Sequence, residues 1–400
     1  MPDAPCFEHL APFRVSPLPE IHFGRQTLAR LPALIARYGR RVLLVTGRRS
    51  FIESPRWPEL QAALRELGVA WDHVSVTGEP SPGLVDEIVA SHRDAGIEAV
   101  VAIGGGSALD AGKAVAGLLR TGTSVMDHLE GVGRGLPYSG PAVPLIAVPT
   151  TAGTGSEATR NAVLSVPGPE GFKKSFRDDQ LVARVAVVDP DLLAGCPAEQ
   201  LAANGMDAFT QLLESYVSTG ASPFTDALAW SGMQAFQRGF WSVMEGGPEG
   251  RPDLAYASLI SGITLAQAGL GSVHGLASPL GAFFPAPHGV VCGTLLAEAT
   301  ATNIAALRQQ AANGDALRKY ARVGRLLAAS PEQEDPAACD ALVATLRDWT
   351  DRLAMPRLRT FGMQESDVPR VVVHARGGSM ATNPLVLSDK ALTALLASRL

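Results

Sequence analysis

The order of apolar and polar positions divides the chain into two regions. Through about residue 190, short β-branched apolar runs alternate with segments of helical period. The runs cover 41–47, 71–76, 98–106, 144–151 and 182–189, and helices are predicted between them at 54–68 and 83–96. This alternation is typical of β-α-β units and predicts a parallel sheet. Because ligands of such sheets bind beyond the carboxyl ends of the strands, we expect a site in those loops.

Beyond Pro190, long segments rich in Ala and Leu replace the strand-like runs. They cover 198–218, 222–244, 253–284, 289–308, 312–329 and 336–354, and each predicts a helix. The sequence therefore predicts an α/β domain with a Rossmann-like parallel sheet at 1–190 and an all-α domain at 191–400.

The composition of the 400 residues narrows the class of protein. A hydrophobic fraction of 46% argues against disorder, and a net charge of −5 argues against nucleic acid as a partner. Neither a basic start followed by an apolar run nor an uninterrupted apolar stretch of 18 residues occurs, so we expect no export, no membrane span and a cytoplasmic location. The cysteines are interpreted as reduced thiols, buried or incidental, because no two form a C-x-x-C pair. They are Cys6, Cys196, Cys292 and Cys339.

Two glycine-rich loops follow apolar strands. The first contains Gly104, Gly105 and Gly106 and opens a predicted helix, with Ser107 at its N-cap and Asp110 as the capping-box partner. Backbone amides at a helix N-terminus suit a pyrophosphate, although a tight turn without a ligand has the same appearance.

The second glycine-rich loop, at 149–157, carries small hydroxyl side chains that can donate to phosphate or ribose. These are Thr150, Thr151, Thr154 and Ser156. Together, the two loops in one sheet favour a nucleotide site.

A predicted helix at 205–218 places Asp207, Gln211 and Glu214 on one face, opposite an apolar stripe. One interpretation is a solvated polar face. The other is that Asp207 and Gln211, four residues apart, offer oxygen ligands to a metal.

Two of the eight histidines, His274 and His288, lie in an apolar segment, and each is followed by Gly. Core histidines with satisfied hydrogen bonds are one explanation. With Asp207 they would instead make a set of two histidines and one carboxylate, which suits Fe(II) or Zn(II).

Taken together, these motifs resemble the iron-containing, group III alcohol dehydrogenases of the dehydroquinate synthase-like fold. The resemblance covers nearly the whole chain: 21–24, 104–114, 149–159, 188–190, 205–218, 273–289 and Asn383-Pro384. It implies an N-terminal Rossmann-like domain that binds NAD(P), a helical C-terminal domain, and a cleft between them for cofactor, metal and substrate.

Carried over by position, the resemblance makes Asp207, His274 and His288 catalytic metal ligands. The family's fourth ligand, a histidine, falls on Gln211, which offers only a neutral carbonyl oxygen. Relatives resembling glycerol dehydrogenase hold zinc with three ligands, so the metal is open between Fe(II), Zn(II) and other ions. Ser278 stands where many members carry a histidine that relays a proton. Without that histidine, Ser278, a metal-bound water or the ribose hydroxyl would have to serve instead.

The adenosine side of the cofactor site also departs from the family. Many NAD-preferring members carry an Asp after the strand at 41–46, whereas this chain has Gly47, Arg48, Arg49 and Ser50. Loss of the carboxylate and gain of guanidinium groups favour NADP(H) over NAD(H). The alternative is that both arginines project into solvent.

The expected function is that of a metal-dependent, NAD(P)-linked alcohol dehydrogenase or aldehyde reductase acting on a small alcohol or aldehyde. A homodimer or larger homo-oligomer is expected from the family. Three alternatives stay open: a metal-independent reductase of the maleylacetate reductase type, a lyase or cyclase resembling dehydroquinate synthase, and a regulatory nucleotide-binding protein.

Overall fold

The computed structural model describes residues 11–310 and 314–400. Cys6, the first ten residues of the predicted N-terminal domain and the start of the helix predicted at 312–329 lie outside the described residues.

A six-stranded parallel sheet forms the first region. Its strands are β1 (Glu20–Phe23), β2 (Arg41–Gly47), β3 (Ala70–Val76), β4 (Ala99–Gly104), β5 (Leu145–Pro149) and β8 (Val185–Val188). Their order across the sheet is β1-β8-β5-β4-β2-β3. The predicted parallel sheet is confirmed, and the first edge strand, at 20–23, is an addition to it.

Both faces of the sheet are covered. Along β2, Val42 and Leu44 pack in one apolar cluster, whereas Leu43 and Val45 pack in another on the opposite face. Successive strand residues point to opposite faces, so a run of five buried apolar or small residues requires helices on both sides. Those helices are α1 (Leu31–Ala36), α2 (Arg56–Glu66), α3 (Pro82–His92) and α4 (Gly106–Leu118).

An antiparallel hairpin, which the sequence analysis did not predict, lies outside this sheet. It consists of β6 (Asn161–Val166) and β7 (Phe172–Arg177). Strand β6 packs against α4, and β7 packs against a helix of the second region at 272–283. The hairpin therefore bridges the two regions of the chain.

In the residues described from 198 onward, all the regular secondary structure is helical. Its helices are α5 (Ala198–Val217), α6 (Pro223–Met244), α7 (Arg251–Ala268), α8 (Ser272–Phe283), α9 (His288–Gln310), α10 (Asp315–Ala328), α11 (Asp335–Arg352), α12 (Val368–His374) and α13 (Asp389–Ser398). Short 3₁₀ turns connect several of them. The fold class predicted from sequence, α/β followed by all-α, is confirmed.

The single helix predicted at 253–284 is wrong. The chain turns by 99° between α7 and α8, and Gly269 at the break has a φ of +74°. A residue with a Cβ rarely adopts that backbone conformation, so glycine at this position allows the turn. The turn directs the start of α8 toward α5, where the polar residues lie.

Helix α9 is long and apolar enough to span a membrane, and among the described residues it is the only unbroken helix that is. However, 67% of its most apolar stretch is buried within the protein. Its composition is therefore that of a core helix.

Candidate active site

One cleft of about 1370 Å³ runs between the sheet and the helical region. Its lining includes Gly105 and Thr151 from the sheet loops, together with Asp207, His274 and His288 from the helices. We call the loops at 104–107 and 149–157 the nucleotide end, and the cluster of Asp207, His274, His288 and Cys292 the metal end. The residues of both ends belong to the two loops, to the first turns of α8 and α9, and to one face of α5.

Helix α5 carries the polar face predicted from its sequence, but the interpretation of that face as solvated is wrong. Asp207, Gln211 and Glu214 are 1%, 2% and 6% exposed. Buried carboxylates are costly unless they are paired or bind a cation. The burial of two of them on one helix face therefore calls for partners.

Helix α8 starts without a capping side chain of its own, and residues from elsewhere supply the cap. Glu214 Oε1 accepts the Val273 N–H at 2.6 Å, and Asn383 Oδ1 accepts the Ser272 N–H at 3.0 Å. Glu214 Oε2 also contacts His274 Nδ1 at 2.7 Å. These bonds hold His274 in the first turn with its Nε2 directed toward Asp207.

Helix α9 contributes two residues from its first turns. His288 and Cys292 are four positions apart, so their side chains lie on the same helix face. Cys292 Sγ lies 3.7 Å from His274 Nε2 and 3.8 Å from His288 Nε2. Sequence analysis missed Cys292, although its spacing from His288 was a usable signal.

Four donor atoms thus converge at the metal end. Asp207 Oδ1 lies 3.2 Å from His274 Nε2 and 3.7 Å from His288 Nε2. One ligand atom from each of Asp207, His274, His288 and Cys292 lies within 4.8 Å of all the others. Asp207, His274 and Cys292 are buried, whereas the side chain of His288 is 25% exposed and faces the cleft.

The electrostatics of the cluster follow from burial and close contact. Burial opposes ionisation of Asp207, but the neighbouring His288 and His274 outweigh it and hold its pKa at about 2. Burial lowers the pKa of His288 and raises that of the Cys292 thiol to about 12. Contacts with Cys292, Asp207 and Glu214 raise the pKa of His274 above its usual 6.5, despite its burial.

The donor set fits a cation. The Glu214 carboxylate can only accept, so His274 Nδ1 donates to it, and a neutral His274 then has a lone pair at Nε2. That lone pair faces the Asp207 carboxylate oxygen at 3.2 Å. Two lone pairs at this distance require a proton or a metal ion between them. A divalent ion bound by these side chains would satisfy the arrangement.

Gln211 and Ser278, at the two positions where the resemblance predicts histidines, both line the cleft. Gln211 Oε1 accepts a hydrogen bond from Ser261 Oγ at 2.7 Å. Ser278 Oγ donates to the carbonyl of Lys173 on the hairpin at 3.0 Å. Both side chains are therefore already held by hydrogen bonds.

At the nucleotide end, the predicted capping box is wrong. Helix α4 has Gly105 as its N-cap, without a side-chain hydrogen bond, and Gly106 and Ser107 are its first residues. The Asp110 carboxylate instead accepts from Ser156 Oγ at 2.5 Å and from the Val163 N–H at 3.2 Å. The first backbone N–H groups of α4 are thus left uncapped by side chains and face the cleft, which is the arrangement that binds anions.

Lys113 anchors the second loop to α4. Its Nζ, 1% exposed, donates to Ser156 O at 2.8 Å, Thr159 Oγ1 at 2.8 Å and Asn161 O at 2.9 Å. Burial lowers the pKa of Lys113 to about 8. The buried ammonium group of Lys113 therefore fixes the loop that bears the hydroxyl residues to α4. The hydroxyl residues that line the cleft are Thr150, Thr151, Thr154 and Ser156.

Near the end of β2, Gly47 and Ser50 line the cleft, whereas Arg48 and Arg49 have exposed side chains. Arg49 Nε lies 3.5 Å from Glu53 Oε1. Strands β3 and β4 flank β2, so the loops after β2 and β4 diverge at a switch point of the sheet, where nucleotides commonly bind.

Sequence analysis also missed Glu79 and Lys173. Lys173 Nζ on β7 donates to Glu79, which follows β3, and both residues line the cleft. The charge of Lys173 adds to the effect of burial in lowering the pKa of His288. The signal for this pair was the turn at Pro167-Gly168 between two strand-like stretches, which marks the hairpin.

Comparison with known proteins agrees with this geometry. The family model described as iron-containing alcohol dehydrogenase matches residues 19–190. The model described as the C-terminal part of the Fe-containing alcohol dehydrogenase family matches residues 201–400.

Individual relatives cover most of the chain. Lactaldehyde reductase of Escherichia coli K12 is 30% identical over 354 residues, which are 87% of this chain and 88% of the relative. Alcohol dehydrogenase 4 of Schizosaccharomyces pombe is 32% identical over 367 residues, 91% of this chain and 83% of the relative. A crystal structure of 1,3-propanediol oxidoreductase superposes with a TM-score of 0.88 at 27% identity, over 98% of this chain and 100% of that one. The chain belongs to the iron-containing alcohol dehydrogenase family.

Proposed function

We propose that this protein interconverts small aldehydes and alcohols by hydride transfer with a nicotinamide dinucleotide, with a divalent metal held by Asp207, His274 and His288. Membership of the family makes it an NAD(P)-linked, metal-dependent oxidoreductase of CH–OH groups. The observation that carries the proposal is the single cleft that joins the glycine loops to the converging donor atoms.

At the metal end, Asp207, His274 and His288 would hold the ion, with Gln211 as a further candidate ligand. Such an ion acts as a Lewis acid that polarises the carbonyl or alcohol C–O bond. Glu214 fixes the ring of His274 through Nδ1, so that Nε2 faces the cluster. The exposed side of His288 leaves the substrate an approach from the cleft.

At the nucleotide end, the N–H groups at Gly105, Gly106 and Ser107 would bind the pyrophosphate, and Thr150, Thr151, Thr154 and Ser156 would line the rest of the cofactor. Bound there, the nicotinamide supplies or accepts the hydride. Asp110 and Lys113 hold the two loops together through Ser156. Gly47 and Ser50 would contact the adenosine, and Gly104 ends the strand that leads into the site.

For proton transfer we propose Ser278. Its hydroxyl lies in the cleft and donates to the Lys173 carbonyl. In the reductive direction Ser278 would give its hydroxyl proton to the product alkoxide and take one from water in the cleft, and in the oxidative direction the proton would move the opposite way.

Five finer properties complete the proposal: cofactor preference, domain boundary, location, oligomeric state and substrate class. NADP(H) is preferred over NAD(H), because guanidinium groups and no carboxylate follow directly after β2. The domain boundary lies near residue 190, and the protein is a cytoplasmic homo-oligomer. Substrates are short aldehydes and alcohols, and the lactaldehyde and propanediol named in two relatives suggest hydroxylated ones.

Metal removal and restoration test the central claim. The purified protein is stripped with a chelator and assayed with NADPH and NADH against a panel of short aldehydes, then reloaded with Fe(II) or Zn(II). We expect activity to disappear on stripping and to return on reloading. Full activity in a protein shown by elemental analysis to be free of metal would favour the metal-independent reductase.

A further inference from the structure

The metal end has Gln211 where the resemblance predicts a fourth, histidine ligand. Resting on the proposed function, we propose that the thiolate of Cys292 binds the ion together with Asp207, His274 and His288, and that it takes the ligand place that Gln211 leaves. Neither the family resemblance nor the matched relatives assign a role to Cys292.

The distances support a shared ion. Zinc bonds of about 2.1 Å to nitrogen or oxygen and about 2.3 Å to sulfur, at tetrahedral angles, separate nitrogen from oxygen by about 3.4 Å and nitrogen from sulfur by about 3.6 Å. The nitrogen–oxygen distances here are 3.2 and 3.7 Å. The two nitrogen–sulfur distances are 3.7 and 3.8 Å. The sulfur is thus placed as a ligand would be, with respect to both imidazoles.

With both rings neutral, as metal ligands are, a hydrogen-bonding role for the sulfur leaves part of the cluster without a donor. One thiol carries one proton and can donate to only one of the two Nε2 atoms that face it. His274 Nε2 also faces Asp207, so three acceptors surround a single donor when both rings present lone pairs. Replacing that proton with a cation satisfies all of them together.

Charge balance points the same way. Asp207 and a Cys292 thiolate carry two negative charges, which match a divalent ion held by two neutral imidazoles. Buried charges are tolerated when they are paired in this way. Ligation forms a bond from sulfur to the ion, and the thiol proton leaves to solvent.

Gln211 is less suited than Cys292 to bind the ion. Its Oε1 already accepts from Ser261 Oγ, and a neutral amide oxygen adds no charge. The thiolate is also a softer ligand than the imidazole that the family has at position 211. Soft ligands favour Zn(II) over Fe(II), so we expect this protein to retain zinc in preference to iron.

Cobalt substitution tests the ligand directly. The stripped protein is loaded with one equivalent of Co(II), and its absorption spectrum is recorded for wild type, Cys292→Ser and Cys339→Ser. Cys339 is a matched control, because it is also a buried cysteine but lies in α11, where its Sγ donates a hydrogen bond to the Leu317 carbonyl. We expect a near-ultraviolet thiolate-to-cobalt charge-transfer band in wild type and Cys339→Ser, and its loss in Cys292→Ser.

The outcomes separate this proposal from the proposed function. One equivalent of bound cobalt without a thiolate band in wild type would overturn the role of Cys292 and leave the metal-dependent activity standing. Failure of the wild type to bind cobalt or zinc at all would overturn both. Persistence of the band in Cys292→Ser would assign the thiolate to another cysteine.

A double-mutant cycle tests whether Cys292 takes the ligand position that the family fills with a histidine at 211. Zinc affinity should fall at least about tenfold in Cys292→Ser, since even the loss of outer partners of a ligand costs that much. Gln211→His should recover affinity in Cys292→Ser without restoring the band, yet add little to wild type. An equal gain in both backgrounds would mean that the two positions act independently and that Cys292 does not fill the place of the histidine.

Discussion

The two ends of the cleft differ in the groups that they present to a ligand. The nucleotide end consists of backbone N–H groups, glycines and short hydroxyls, fixed from beneath by Lys113. The metal end consists of side chains from α5, α8 and α9, fixed by Glu214 and Asn383. A site made of backbone depends on the close approach of two loops, whereas a site made of side chains depends on the identity of each residue. The two departures that the resemblance indicates, at 211 and 278, fall in the second kind of site, whereas the glycine loops are part of the resemblance.

Asp207→Asn is expected to separate the two ends most clearly. It removes one charge from the metal ligands but leaves the loops untouched, so metal binding and catalysis should collapse together. We expect kcat/KM to fall about a thousandfold, equivalent to about 4 kcal/mol of lost Lewis-acid stabilisation. NADPH binding, followed by fluorescence titration, should change less than twofold. A matching loss of cofactor affinity would show that the ends are not separable.

Glu157 provides the next largest effect, on stability rather than catalysis. This residue of the nucleotide end is 2% exposed, and burial raises its pKa from 4.5 to about 7. Between these values the unfolded chain loses a proton that the folded chain keeps, so the contribution of Glu157 to stability falls as pH rises from about 4.5 to about 7. Above about pH 7 the folded protein carries the full free-energy cost of an ionised, buried Glu157 carboxylate.

The substitution Glu157→Gln should remove this penalty. Its free energy of unfolding relative to wild type should increase across that pH range, by up to about 3 kcal/mol at pH 8. Urea unfolding at pH 5 and pH 8 measures the difference, and the exposed Glu59→Gln serves as the control. A difference that does not vary with pH would mean that Glu157 is ionised in the folded protein throughout.

The contrast between the ends also explains what the sequence could predict. Apolar runs and glycine loops are local patterns, so the parallel sheet, its two loops and the helical second region follow from them. The hairpin at 161–177 was missed because its strands pack on α4 and α8, far from it in sequence. The break at Gly269 was missed because apolar periodicity continues across it, although three residues, Gly269-Leu270-Gly271, marked it.

The metal end shows the limit of sequence reasoning most directly. Asp207, His274 and His288 were proposed as a possible metal set from their residue types and then assigned as ligands through the resemblance, and the structure places them together. The four-residue spacing from His288 places Cys292 on the same face of α9, but the sulfur lies among the ligands only because α8 and α9 pack against each other and against α5, which the local pattern does not show. The same limit applied to Lys173, whose carbonyl meets Ser278 across 105 positions of sequence.

Gly106→Ala tests the backbone approach at the nucleotide end. An added Cβ would lie 2.8 Å from Thr154 Cγ2, so one loop must move away from the other. We expect the NADPH dissociation constant to rise about tenfold, or about 1.4 kcal/mol, with zinc affinity unchanged. Gly377→Ala is the matched control, because Gly377 lines the cleft and its added Cβ would meet nothing within 4 Å. Equal effects of the two substitutions would contradict the importance of the loop contact.

The smallest expected effect concerns the rim of the nucleotide end, where side chains rather than backbone decide cofactor choice. Arg48 is exposed, and Arg49 is engaged with Glu53. A 2′-phosphate at this rim would therefore be bound mainly by Arg48 in a solvated setting, where charge pairs are weak and screened by salt. Arg48→Ala should raise the KM for NADPH roughly fivefold at low salt, and less at high salt, while the KM for NADH stays constant.

Glu53→Ala should act in the opposite direction, because it frees the guanidinium of Arg49. Steady-state kinetics with both cofactors at two ionic strengths measures these effects, and equal changes for NADPH and NADH would remove phosphate recognition from this rim.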